Sequence, residues 1–75
     1  MVRFTVQFKS ISDVKEFVQT VNSYSYDVDL SSGRYVVDAK SIMGIFSLDL
    51  SKPIKVEIQA NDCGKFCEEI KRFTV

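Results

Sequence analysis

The chain has 75 residues, of which 45% are hydrophobic and 27% charged, so residues 1–75 are predicted to form one small globular domain. Ten basic and ten acidic residues balance each other, which argues against a nucleic-acid-binding protein, because such proteins carry a basic excess. No apolar run approaches the ~20 residues of a membrane span. The first residues lack the apolar region of a signal peptide, so no membrane association and a cytoplasmic location are expected.

An alternating strand and an amphipathic helix open the chain. Apolar and polar residues alternate over residues 2–8, which predicts a half-buried strand. A helix is predicted next, because apolar residues recur at helical spacing. These residues are Val14, Phe17, Val18 and Val21. Asn22 and Ser23 are expected to end this helix. Asp13 marks the start of this helix, with Ser10 and Ser12 as rival caps.

A hairpin and a short capped helix follow. Alternation over residues 24–30 and 34–39, with a turn signal at residues 31–33, predicts two antiparallel strands. Ser41 then precedes an apolar run as an N-cap would, which predicts a helix over residues 41–49.

This second helix is apolar on two sides. Ile45 and Leu48 lie on one side, and the other side carries Ile42, Met43, Phe46 and Leu50. Because a small protein buries only one side of a surface helix, we expect Ile45 and Leu48 to be buried. The second side is then either a partner surface or additional core.

A strand and a helix close the chain. Pro53 interrupts regular secondary structure, and alternation over residues 54–60 predicts a fourth strand. Asn61 or Asp62 is expected to cap a last helix, whose apolar stripe is Cys63, Phe66, Cys67 and Ile70. The order β-α-β-β-α-β-α, with one solvent-exposed face on each strand, predicts a two-layer α/β (α+β) sandwich. Three helices cover one face of a four-stranded antiparallel sheet in this fold.

Few residues offer catalytic or metal-binding chemistry. The chain contains no histidine, the commonest acid/base residue and metal ligand. Cys63 and Cys67 are too few for a disulfide framework and lack the further ligands of a structural zinc site. They are interpreted as buried core residues, with a redox or metal role as the alternative. No nucleophile–base pair or phosphate-binding loop is apparent, so neither an enzymatic activity nor a cofactor or metal is predicted.

Residues 39–48 carry a family resemblance. The segment Lys40-Ser41-Ile42-Met43-Gly44 resembles the regulatory-serine motif of HPr, in the form typical of low-GC Gram-positive bacteria. HPr is the histidine-containing phosphocarrier protein of the bacterial sugar phosphotransferase system. Residues 17–20 and 27–30 also fall where the family has similar sequence. The resemblance implies a sheet in the order 1-4-2-3 with the helices on one face.

The resemblance also places the family's active site just before the first helix. There HPr has a histidine that enzyme I phosphorylates, followed two residues on by an arginine and then by a proline. Counted without gaps from residues 17–20, these three positions hold Ser10, Ser12 and Asp13. Since all three are changed and the chain has no histidine, no catalytic residue and no phosphohistidine carrier activity are predicted.

Ser41 matches the family's regulatory serine, which a dedicated ATP-dependent kinase phosphorylates. A phosphoserine there would place about −1.5 to −2 charges at a helix N-terminus. Ile42, Met43 and Phe46 match the family's exposed apolar patch, which binds enzyme I and other proteins. The resemblance thus implies a regulatory or binding module. Its candidate partners are enzyme I, a serine kinase or a transcriptional regulator.

Three alternatives stay open. In the first alternative, Ser41 is only an N-cap and is not a phosphorylation site. The apolar patch is a dimer contact or simple family inheritance in the second. In the third, the chain is a diverged HPr-fold structural or interaction domain with no role in the phosphotransferase system.

Overall fold

The computed structural model describes residues 1–74. The strands are β1 (Val2–Val6), β2 (Val28–Ser32), β3 (Tyr35–Asp38) and β4 (Ile54–Ile58), and the helices are α1 (Ile11–Asn22), α2 (Ile42–Phe46) and α3 (Gly64–Ile70). A 3-10 turn over Lys71–Phe73 follows α3. The elements follow one another in the predicted order. None of the helices in residues 1–74 combines the length and apolar character needed to cross a membrane.

The four strands form one antiparallel sheet in the order β1-β4-β2-β3, as predicted. Strand pairing aligns side chains in rows across the sheet. One row faces the helices and consists of Phe4, Val56, Leu30 and Val37. The next row lies on the open face and consists of Arg3, Glu57, Asp29 and Asp38. The sheet therefore has an apolar covered face and a polar open face.

The core lies between the covered face and the three helices. The helix residues with no solvent exposure are Val14, Phe17, Val21, Ile45, Phe66 and Ile70. The rings of Phe8, Phe17 and Phe73 meet edge to face, with centroids 5.2 to 6.0 Å apart. Phe4, on the apolar side of the alternating first strand, and Val18, in the apolar stripe of α1, are half-buried against this core, although both patterns predict burial. The other core residues predicted from the helical stripes are buried as expected, except Cys67, which is half-buried.

The prediction that the second strand begins at residue 24 is wrong, because Tyr24 and Tyr26 pack on α3 instead of joining the sheet. Their ring centroids lie 4.9 and 5.5 Å from that of Phe66. The Tyr24 hydroxyl donates a hydrogen bond to Glu69 Oε2 at 2.7 Å. This hydrogen bond to a carboxylate, together with partial desolvation, raises the pKa of Tyr24 above its ordinary value. Sheet pairing therefore starts only at Val28.

The predicted second helix, over residues 41–49, is longer than the observed α2, which has five residues. The chain tightens after Phe46, because the N–H groups of Ser47 and Leu48 donate to carbonyls three residues back, at 3.1 and 3.0 Å. The Ser47 hydroxyl also donates to the Gly44 carbonyl. These bonds replace the i→i−4 pattern and end the helix.

The start of α3 differs from the prediction as well. Cys63, and neither Asn61 nor Asp62, occupies the N-cap position. The Asp62 carboxylate nevertheless accepts the Gly64 N–H at 3.0 Å.

The Cys63 and Cys67 side chains lie together at the first turn of α3, with Cα atoms 5.4 Å apart, a spacing that a disulfide can bridge. Cys63 is 2% exposed and belongs to the core, whereas Cys67 is half-buried against it. The interpretation of both residues as buried core residues therefore holds for Cys63 and only in part for Cys67.

We expect Phe17→Ala to lower the free energy of unfolding by about 3–5 kcal/mol, because a fully buried ring would leave a cavity that the core closes only in part. Urea titration followed by circular dichroism measures this loss. Lys15→Ala, at an exposed position of the same helix, is the control and should stay within about 0.5 kcal/mol of the wild type. A loss below about 1 kcal/mol for Phe17→Ala would place that ring outside the energetic core.

Candidate functional site

The start of α1 is closed by two side chains that cap the backbone. Ser10 is the N-cap, and its Oγ accepts the Asp13 N–H at 3.2 Å. The Asp13 carboxylate in turn accepts the Lys9 N–H at 2.9 Å. Of the rival caps, Ser10 is the one used, while Ser12 is an exposed residue of the first turn. Ser10 and Asp13 thus form an acidic cap at the start of α1.

The start of α2 also has a serine cap, but its surroundings differ. Ser41 is exposed, and its Oγ accepts the Gly44 N–H at 3.1 Å. Asp38 orders the turn before it: its Oδ1 accepts the Lys40 N–H at 2.8 Å, and its carbonyl accepts the Ser41 N–H at 3.0 Å. This Asx-type turn holds Ser41 on the surface. The alternating pattern of residues 34–39 does not mark Asp38 as a turn residue; the signal for it is an aspartate just before the capping serine.

Gly44 allows α2 to lie close to the edge of the sheet. A Cβ added at Gly44 would stand 3.3 Å from Ser41 Oγ and 3.3 Å from Val37 Cβ. Both contacts are tighter than ordinary van der Waals packing. A side chain at this position would therefore push α2 away from β3 or disturb the cap at Ser41.

The two sides of α2 have different exposures. Ile45 has no exposed surface and Leu48 has 6%, whereas Met43 is 77% and Phe46 40% exposed. These four observations confirm the predicted division. The expectation for Ile42 is wrong in part, because it is half-buried against the core and has only part of its surface free. The exposed apolar surface, here called the α2 patch, therefore consists of Met43 and Phe46.

The turn after α2 is held by Asp49, whose carboxylate accepts hydrogen bonds from the Ser51 hydroxyl and from the Ser51 N–H, the latter at 3.1 Å. These two bonds, the hydroxyl first, lower the pKa of Asp49, and the positive charge of Lys52 contributes in the same direction. Lys52 Nζ lies 3.9 Å from Asp49 Oδ2. The turn is thus stabilised by a carboxylate that stays ionised.

The two serine caps lie towards opposite ends of the α1–α2 pair. The Asn22 side chain, at the end of α1, donates to the Lys40 carbonyl at 3.5 Å. The Gln7 side chain, before α1, donates to the Leu50 carbonyl beyond the end of α2 at 3.3 Å. The end of α1 is therefore close to the start of α2, and Ser10 and Ser41 belong to separate parts of the surface. Within residues 1–74, no group of three or more potential metal ligands comes together.

An antiparallel sheet in the order β1-β4-β2-β3, with three helices on one face and serine caps on α1 and α2, defines a two-layer protein of the phosphocarrier type. The family model described as "PTS HPr component phosphorylation site" matches residues 5–74. The chain therefore belongs to the HPr family and is related to the phosphotransferase system. Comparison of the sequence with curated proteins gave no match.

Solved structures of HPr-type proteins resemble the chain over nearly its whole length. The HPr-C-His protein of Thermoanaerobacter tengcongensis has a TM-score of 0.79 and 26% identity, with 96% of this chain and 89% of that chain covered. The phosphocarrier protein HPr of Bacillus anthracis str. Ames has a TM-score of 0.69 and 25% identity, with 99% and 94% covered. Crh, the catabolite repression containing protein of Bacillus subtilis, has a TM-score of 0.67 and 27% identity, with 100% and 92% covered.

We expect Ser41→Ala to lower the free energy of unfolding by about 1 kcal/mol, because the Gly44 N–H loses its acceptor. Ser41→Asp should retain most of this stability, since a carboxylate also caps a helix. Urea titration of both variants checks the comparison. Ser12→Ala, at an exposed position of α1, is the matched control and should change stability by less than about 0.5 kcal/mol. A Ser41→Ala variant as stable as the wild type would show that the cap contributes nothing.

Proposed function

We propose that this HPr-family chain is a regulatory or protein-binding module that acts without carrying a phosphohistidine and without an enzymatic activity of its own. One observation carries the proposal. The chain has no histidine and presents an acidic serine cap at the family's phosphohistidine site, while an exposed serine cap stands at the family's regulatory position. A cytoplasmic location belongs to the same proposal.

The acidic cap of α1 is unsuited to receive a phosphoryl group. The Asp13 carboxylate, hydrogen-bonded to the Lys9 N–H, adds a negative charge at the position of the family's proline, and the neutral Ser12 stands at the position of its arginine. The Ser10 hydroxyl accepts a backbone hydrogen bond, and no neighbouring base is placed to activate it as a nucleophile. A dianionic phosphoryl group would therefore meet repulsion instead of charge-assisted hydrogen bonds.

Ser41 meets the physical requirements of a regulatory phosphorylation site. Its side chain is exposed, and its single hydrogen bond is one that a phosphate oxygen can also accept. The nearby carboxylate of Asp38 is already held by the Lys40 N–H. Phosphorylation would add about −1.5 to −2 charges beside the α2 patch without requiring α2 to refold. Such a charge would change binding through local electrostatics and desolvation.

The α2 patch is the proposed docking surface. Met43 and Phe46 present apolar side chains on one side of a short helix whose other side is anchored by Ile45. The half-buried Ile42 would contribute the edge of the contact. A patch of this size fits a weak, mostly apolar contact with a protein partner. Enzyme I, a serine kinase or a transcriptional regulator are the candidates, and the likeness to a catabolite repression protein supports the regulatory role.

We expect the chain to be phosphorylated by an HPr serine kinase and not by enzyme I. Incubation with the kinase and ATP should add one phosphate to the wild type and none to Ser41→Ala, as read by intact mass. Ser47→Ala, at the exposed end of the same helix, should be modified as the wild type is. Incubation with enzyme I and phosphoenolpyruvate should add nothing, whereas an HPr that has the histidine serves as positive control. An acid-labile phosphate on this chain would overturn the loss of carrier function.

We expect Phe46→Ala to weaken binding to the cognate partner by at least about fivefold, because truncation of a central interface aromatic costs more than about 1 kcal/mol. Titration by isothermal calorimetry or fluorescence anisotropy measures the affinity. Ile11→Ala removes another exposed apolar side chain, on α1, and should leave the affinity unchanged. Equal affinities for Phe46→Ala and the wild type, with an intact fold, would make α2 an inherited scaffold and favour the diverged structural or interaction domain.

A further inference from the structure

The two edges of the sheet are protected to different degrees. β1 and β3 are the edge strands. The outer side of β1 is partly covered by the end of the described chain, because the Gln7 N–H donates to the Phe73 carbonyl at 2.9 Å and Val6 bridges to Thr74. No comparable segment of residues 1–74 hydrogen-bonds to the outer side of Val36 in β3. An uncovered edge strand is a template for pairing with another chain.

The register of the β2–β3 hairpin shows which backbone groups face outward. The Ala39 N–H donates to the Val28 carbonyl at 2.9 Å, so this pair is hydrogen-bonded. Pairs alternate between hydrogen-bonded and non-hydrogen-bonded in an antiparallel ladder. The Ser31–Val36 pair, three steps along, is therefore non-hydrogen-bonded. The N–H and C=O of Val36 consequently point away from β2, towards solvent.

The side chains of the same strand are unusually apolar for an exposed edge. Tyr35 is 70% and Val36 66% exposed. Charged residues flank them, with Arg34 in the turn before the strand and Asp38 at its end. The positive φ of Gly33, +60°, allows a tight two-residue turn, so β3 begins directly after Arg34. The edge thus has an apolar centre between opposite charges.

We propose that β3 is a self-association edge, on which β3 of a second copy of this chain pairs antiparallel about a two-fold axis at Val36. In this register the outward N–H and C=O of Val36 exchange two hydrogen bonds with those of the second copy. Arg34 of each copy then lies opposite Asp38 of the other, and Tyr35 lies opposite Val37. The two sheets join into one sheet of eight strands, and the contact is isologous.

The charges select this register among the two-fold alternatives. An axis at Asp38 would set two carboxylates against each other, and an axis at Arg34 would set two guanidinium groups against each other. Directly opposed like charges destabilise a strand pair, whereas opposite charges stabilise it. The axis at Val36 is the one that opposes unlike charges twice and also covers the exposed apolar side chains. The proposal involves β3 alone and is independent of the function proposed for α2.

Sedimentation equilibrium over micromolar to millimolar protein, combined with a charge exchange, tests the proposal. The mass of the wild type should rise towards twice the 8.6 kDa of the chain. Arg34→Asp opposes two pairs of carboxylates, and Asp38→Arg opposes two pairs of guanidinium groups. Each variant alone should dimerise at least about tenfold more weakly than the wild type. An equimolar mixture again opposes unlike charges at both places, and should dimerise within about threefold of the wild type.

The mixture separates pairing from misfolding. Asp38→Arg also removes the hydrogen bond to the Lys40 N–H, but a chain damaged in its fold would not recover association when mixed. Hydrogen exchange gives the matched control within one strand. The Val36 amide should become slower to exchange as the concentration rises, while the Val37 amide, already bonded to β2, should not change. A wild type that stays monomeric, single variants that dimerise as well as the wild type, or a mixture that does not recover would each overturn the proposal.

Discussion

The packing of three helices on one face of a four-stranded sheet decides which side chains this protein buries and which it presents. A chain of this length can form only one hydrophobic core. The row of Phe4, Val56, Leu30 and Val37 lies on the sheet side of that core. Each helix gives one side to this row. For α2 the approach is close enough that a Cβ at Gly44 would lie only 3.3 Å from Val37 Cβ. The same closeness buries Ile45 and turns Met43 outward, so the exposed patch is a direct result of core packing.

The two helix starts show how one local device supports two chemical outcomes. Ser10 and Ser41 each accept an N–H from the residue three positions on. At α1 the donor residue is Asp13, whose own carboxylate accepts the Lys9 N–H. The start of α1 therefore carries a negative charge. At α2 the donor residue is Gly44, which adds no charge. The carboxylate of Asp38 accepts the Lys40 N–H in the turn before α2. The capping geometry is shared, and the charge around it differs.

Periodicity predicted the order of the elements and the division of α2 into two sides, because both depend on which residues share a face. The ends of the elements depend on partners distant in sequence, which periodicity does not contain. Tyr24 alternates with its neighbours as a strand residue would, but its ring packs on Phe66 and its hydroxyl donates a hydrogen bond to the Glu69 carboxylate. Ile42 has the spacing of an exposed residue, yet it leans on the core because α2 is so short. The family resemblance supplied the sheet order, and the residues alone would not have done so.

The sheet order has a consequence for how the chain folds. β2 and β3 are joined by a two-residue turn, so their pairing closes a minimal loop. β4, in contrast, pairs with β1 in a register that joins Val2 to Ile58, two residues far apart in the sequence. Loop-closure entropy makes such distant pairings slow relative to local ones. We therefore expect the hairpin to form early and the insertion of β4 between β1 and β2 to limit the folding rate. Until β4 inserts, the edge of β2 that faces β4 in the folded protein is unpaired and can pair with another chain. The rate at which β4 inserts therefore decides how much of the chain folds and how much aggregates.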